Sequence, residues 1–172
     1  MPTRRGGWVF RAPYTLFMDT GGPLQFDAVP VPTPPGGPLA VELVPAPDPW
    51  AVARKLAHLP HLLFLDSAET HPDRGRYSYV SADPAGSLLV HHEPAGRDPL
   101  GRAKLRLSEH PRPAVGGLPP FQGGLAGCFG YGYGHALERV PLARYDEFRA
   151  PDIAAGIYPW VFSYDHTAAR AW

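Results

Sequence analysis

Ser67 and the segment Arg74, Gly75, Arg76 and Tyr77 are the residues of this 172-residue chain whose types and spacing could do chemistry together. A hydroxyl, a guanidinium and an aromatic ring at neighbouring strand ends are what an amino acid ligand needs for its polar groups and its side chain. The plainer reading makes Ser67 a strand-end residue that satisfies a loop amide. A hydrolase triad is disfavoured, because no GxSxG elbow surrounds Ser67, even with Asp66 beside it and eight histidines in the chain. The histidines lack metal-ligand spacing. His58, His61 and His71 fall on a helix end, a strand start and a loop, His91 and His92 point to opposite sides of a strand, and no HExxH or paired Cys/His pattern occurs. No catalytic group and no metal ligand is assigned. GYGYG, residues 130–134, is a poor dinucleotide fingerprint, since the third glycine spacing and a suitable downstream acid are missing.

The elements that must position these groups follow from periodicity. Ala40 to Val44 alternates as a short strand, and Asp48 before Pro49 is a cap and first-turn pair for a helix through His58, ended by Pro60. HLLFLDSA, from His61 to Ala68, is apolar until Asp66 and Ser67, as expected of a buried strand whose end emerges at a loop. The loop ETHPDRG leads to the strand RYSYVSA, Asp83-Pro84 turns the chain, and Gly86 to His91 is expected as the hairpin partner. Residues 93–113 fit either a strand-pair edge or a short helix. From Gly124 to Gly134 small residues (Gly124, Ala126, Cys128, Gly130, Gly132, Gly134) alternate with Leu125, Phe129, Tyr131 and Tyr133, so one strand face is nearly bare backbone and invites close approach by another element. His135 to Arg139 fits a short helix, Ile153 to Tyr164 a long apolar strand, Asp165 to Thr167 a turn, and Ala168 to Trp172 the start of a returning strand. A chain that stops there is expected to leave unpaired backbone and to be truncated.

Residues Pro23 to Pro38 are rich in proline and glycine and read as an extended linker, so the organisation expected is an extension and linker over 1–38 and one domain over 39–172. Sixteen basic residues balance sixteen acidic ones with no long basic run, which argues against nucleic acid as a partner. Arg11, Pro13 and Asp19 interrupt the N-terminal apolar stretch before it reaches signal-peptide or membrane-span length, so no membrane partner is expected. Cys128 is the only cysteine; its small neighbours Ala126 and Gly130 predict a buried, inert thiol, and the absence of any possible internal disulfide suits a reducing cytoplasm.

Four stretches in order, LLFLDSA, GRYSYVSADP, PPFQGGLAGCFGYGYGHALERVP and PDIAAGIYPWVFSYDH, resemble the N-terminal region of the chorismate-using synthases, anthranilate synthase component I and aminodeoxychorismate synthase component I. The resemblance covers residues 40–172. The LDSA form and the FQGGLAG and GIYPWVFSYDH stretches are more similar to the aminodeoxychorismate branch than to the anthranilate branch, whose equivalent motif usually reads LLES. It implies an α+β fold of packed antiparallel sheets with flanking helices, here incomplete, and a pocket for L-tryptophan. Carried over by motif, the pocket serine is Ser67 and the following segment is Arg74, Gly75, Arg76 and Tyr77. It also implies what this chain lacks: the C-terminal chorismate-binding domain, with the catalytic groups and the magnesium ion, which would be a partner together with a glutamine amidotransferase. For this chain alone no cofactor is expected. The expected function is the non-catalytic portion of an aminodeoxychorismate synthase component I in folate precursor synthesis; the alternatives are the regulatory region of an anthranilate synthase component I and a stand-alone tryptophan-binding module.

Overall fold

Two prolines, Pro84 and Pro159, mark the places where the chain leaves one antiparallel sheet for another. The computed structural model describes residues 15–16, 24–67, 71, 74–91, 96, 99–109, 111, 113–139, 141 and 144–172. In chain order the strands are β1 (Thr15–Leu16), β2 (Leu24–Gln25), β3 (Asp27–Pro30), β4 (Val41–Val44), β5 (Leu63–Leu65), β6 (Tyr77–Ser81), β7 (Gly86–Val90), β8 (Gly124–Phe129), β9 (Ile153–Tyr158), β10 (Phe162–Asp165) and β11 (Arg170–Ala171). The helices are α1 (Pro49–Leu56), α2 (Pro99–Ser108) and α3 (Gly134–Leu137), the last preceded by a 3₁₀ turn at Tyr131–Tyr133. β1 and β2 pair with each other; a six-stranded sheet has the order β3-β4-β11-β10-β6-β5 and a three-stranded sheet the order β7-β9-β8. The result is an α+β fold of antiparallel sheets with flanking helices.

The first helix forms as its sequence dictates. Asp48, in extended conformation, accepts a hydrogen bond from the Ala51 amide at 2.8 Å, and Pro49 fills the first turn, where its missing N–H costs nothing. Val52, Ala53 and Leu56 fall on one helix face and bury against Val80, Phe162 and Ala171 of the six-stranded sheet. Replacing Asp48 by alanine orphans the capped amide and is expected to cost about 1 kcal/mol, read as a lower denaturant midpoint at unchanged slope. The ambiguous stretch around residue 100 is helical: Leu100 of α2 packs with Leu88, Val90, Leu125, Ile153 and Ala155 on one face of the three-stranded sheet.

Several expectations are corrected. Gly86–Val90 is not the hairpin partner of β6; it pairs with β9, because Asp83 takes a left-handed φ of 53° and its amide donates to the Pro60 carbonyl, which turns the chain out of the first sheet. The long apolar strand is two strands, β9 in the small sheet and β10 in the large one, broken at Pro159 and Trp160. The two crossovers run side by side, joined by the Ala85 amide to the Ile157 carbonyl at 2.8 Å, and Gly156 leaves room for the Pro84 ring. The GYGYG stretch does not extend the strand, since the Gly130 amide donates to the Asp152 carbonyl and the chain then coils into the 3₁₀ turn.

Cys128 is another, being exposed rather than buried. Helix α2 covers the face that carries Leu125, while Cys128, Ala126, Ala154 and Leu89 share the opposite face, where Leu89 is 64% exposed. The returning strand forms as expected, antiparallel to β10, but without the unpaired backbone expected beside it. β11 lies between β10 and β4, and the Trp172 amide and carbonyl both bond Ser163, so this segment is paired on both sides. Within the proline-rich stretch, Asp27–Pro30 pairs with β4 as the outer strand β3, a position that tolerates proline. Among the described residues no helix is long and apolar enough to cross a membrane.

Candidate functional site at the β5–β6 strand ends

β5 and β6 pair as Leu63 with Ser81, Phe64 with Val80 and Leu65 with Tyr79. Continuing that register brings Asp66 opposite Ser78 and Ser67 opposite Tyr77. Asp66 and Ser67 are exposed, just past the last paired residue of β5. Gly75 adopts φ 66°, a left-handed turn that suits glycine, and returns the chain into β6; part of the intervening loop (68–70, 72 and 73) lies outside the described residues. Arg74 is exposed at the loop end, bridged through its backbone to His71.

Arg76 is committed within the fold. Its guanidinium donates through Nε and Nη2 to the carboxylate of Asp165, with the closest contact 2.7 Å, and lies 4.9 Å from the Tyr77 ring centroid. Asp165 has a side chain only 5% exposed and also accepts from the Thr167 and Ala168 amides at 2.9 and 3.1 Å. The Arg76 hydrogen bonds, reinforced by those amides and opposed by burial, hold the Asp165 carboxyl below the usual carboxylate range. The pair thus closes the turn between β10 and β11 onto the start of β6.

On the sheet face opposite α1, Tyr77 and Tyr79 stand 6.1 Å apart, and Phe121 meets Tyr79 edge-on at 5.5 Å. This aromatic shelf lies beside the strand end that carries Ser67. Burial pushes the Tyr79 hydroxyl above its ordinary value, so it stays neutral. On the α1 side, the buried Ser78 hydroxyl donates to Asp66 Oδ1 at 2.5 Å and meets His166 Nε2 at 2.6 Å.

The structure therefore brings Ser67 and Tyr77 to adjacent strand ends, leaves Arg74 on the surface and engages Arg76 with Asp165. Ser78 and His166 were not singled out by sequence. The alternation of β6 against β5 could have paired Ser78 with Asp66, but His166 enters only through the β6–β10 pairing, which no local signal announces. A cleft of about 250 Å³ lies elsewhere, lined by Tyr131, Gly134, His135, Leu137 and Glu138. Among the described residues no group of three or more His, Cys, Asp or Glu is arranged to hold a metal ion.

The fold is an α+β unit of antiparallel sheets with flanking helices. The particular kinship comes from sequence: the chain is homologous, in part and at low identity, to the family of anthranilate synthase component 1 and aminodeoxychorismate synthase component 1. It is 30% identical over 131 residues to anthranilate synthase component 1 of Mycolicibacterium smegmatis, covering 69% of this chain and 25% of the relative. It is 33% identical over 124 residues to aminodeoxychorismate synthase component 1 of Escherichia coli, covering 65% of this chain and 27% of the relative. With anthranilate synthase component 1 of Streptomyces coelicolor it shares 35% identity over 106 residues, 62% of this chain and 20% of the relative. The aligned portion is thus about a quarter of the length of these curated relatives. No family model matches the chain.

Proposed function

We propose that this chain is the N-terminal, non-catalytic scaffold of an aminodeoxychorismate synthase component 1, with the β5–β6 strand ends as a site for an aromatic amino acid, L-tryptophan. The observation that carries the reading is the similarity to component 1 enzymes over most of this chain and about a quarter of theirs. In this reading the chorismate-binding portion, with its magnesium, and a glutamine amidotransferase are the partners, and the full assembly aminates chorismate in the reducing cytoplasm. The site chemistry supports the ligand class. The Ser67 hydroxyl and the exposed Arg74 suit a carboxylate and the Tyr77–Tyr79–Phe121 shelf suits an aromatic ring, while the Asp66 carboxylate, on the α1 side of the strand end, meets an ammonium group only around the exposed rim.

A second reading, the regulatory region of an anthranilate synthase component 1, is favoured by the comparable identity to the mycobacterial and streptomycete enzymes. Isothermal titration of the chain with L-tryptophan tests the site: saturable binding is expected, weakened roughly tenfold in Ser67→Ala by loss of one charge-assisted hydrogen bond. No saturable heat in the native chain overturns the tryptophan site. Joining the chain to the chorismate-binding portion of the Escherichia coli relative and identifying the aminated product separates the two pathway readings.

A further inference from the structure

We propose that Ser78 and His166 are positioning residues of the strand-end site: a buried hydroxyl relay that fixes the Asp66 carboxylate and couples its charge to the proton on the His166 ring. The Ser78 side chain is fully buried, and its single oxygen meets Asp66 Oδ1 at 2.5 Å and His166 Nε2 at 2.6 Å. A hydroxyl has one hydrogen to give. An ionised carboxylate can only accept, so Ser78 gives its hydrogen to Asp66 and must receive one from Nε2. The tautomer of His166 is thereby set by a charge on another strand. When position 66 becomes neutral and able to donate, both hydrogen bonds can reverse, with Oγ donating to a bare Nε2 and the ring proton held at Nδ1.

Every link is anchored on a different element. Asp66 follows β5, Ser78 lies within β6 and His166 follows β10, where its ring sits 4.9 Å from the Tyr164 ring and its amide donates to the Arg76 carbonyl at 2.8 Å. Among the described residues, the charged group linked to the ring is Asp66, reached through Ser78; the Arg76–Asp165 pair adjoins His166 along the backbone, and its charges compensate each other. The relay thus holds a carboxylate at an exposed rim in a single orientation. Its consequence for ligand recognition rests on the amino acid reading above, in which Asp66 takes the ammonium group.

The test is a chemical-shift cycle on the ¹⁵N-labelled full chain, with His166→Gln used to assign the ring signals. Asp66→Ala, which removes the acceptor and leaves the Ser78 hydrogen free for Nε2, is expected to move the Nε2 resonance of His166 from the protonated toward the unprotonated range, while in a Ser78→Ala background the same change leaves Nε2 where it was. No response to Asp66→Ala, or an equal response in both backgrounds, overturns the relay. Ser78→Cys, whose thiol is a weak donor, supplies the second background should the alanine variant not fold. L-Tryptophan affinity should fall roughly tenfold in Ser78→Ala and stay within about threefold of native in His166→Gln, whose amide can still donate. Absence of tryptophan binding with the relay intact removes the ligand reading alone; tryptophan binding without the relay removes this proposal alone.

Discussion

Asp165→Ala is expected to lower the stability of the chain by about 2 kcal/mol, because it removes at once the acceptor for two turn amides and for the guanidinium of Arg76, which is itself half-exposed and screened by solvent. Chemical denaturation followed by tryptophan fluorescence would report it as a lower midpoint. Asp165→Asn keeps one acceptor oxygen for the amides but not the charge, so it should fall between the two. The pH dependence has a definite sign. The folded-state carboxyl lies below its unfolded value, so its contribution is fully present above the ordinary carboxylate range near about 4 and is lost as the pH falls through the depressed folded value. Glu42, whose carboxyl is lowered mainly by its hydrogen bonds from Arg170, acts in the same direction at the surface. A chain with Asp165→Asn should therefore lose less stability on acidification than the native one; an identical acid profile would contradict the assignment.

Gly127→Ala should be comparably severe. A Cβ at this position would overlap the Ala154 carbonyl and come 2.5 Å from the Ala155 Cα, both backbone atoms of the neighbouring strand that no rotamer change can move. The substitution has to push β8 off β9 over the centre of their register, where Gly127 faces Ala155. A loss of about 3 kcal/mol is expected, with the amides of β8 losing hydrogen-exchange protection before those of β6. Native-like protection across β8 in this variant would overturn the prediction.

The parts of the fold legible in the sequence are those governed by neighbours along the chain. Asp48-Pro49 announced α1, and the alternation in RYSYVSA announced β6, because caps and pleats act within a few residues. What the sequence did not reveal depends on partners far away. Gly86–Val90 has the same pattern whether it folds back on β6 or crosses to β9, and Pro159 reads as an interruption without saying that the chain changes sheets there. Cys128 looked buried because its neighbours are small, yet smallness alone does not say which face a helix covers. At the candidate site, Ser67 and Tyr77 could be placed at strand ends from local pattern. The engagement of Arg76 by Asp165, 89 residues away, and of Ser78 by His166, 88 away, could not.

The pairing of Leu43 with Ala171, reinforced by Arg170 reaching Glu42 across 128 residues, fixes an order on biosynthesis. During translation β3 and β4 emerge early and must wait, with one edge open, until Arg170 and Ala171 leave the ribosome. The smaller sheet needs nothing after Tyr158 and can assemble while the larger one is still lacking its middle strands. The topology thus permits a nascent chain to complete its minor sheet before its major one can close.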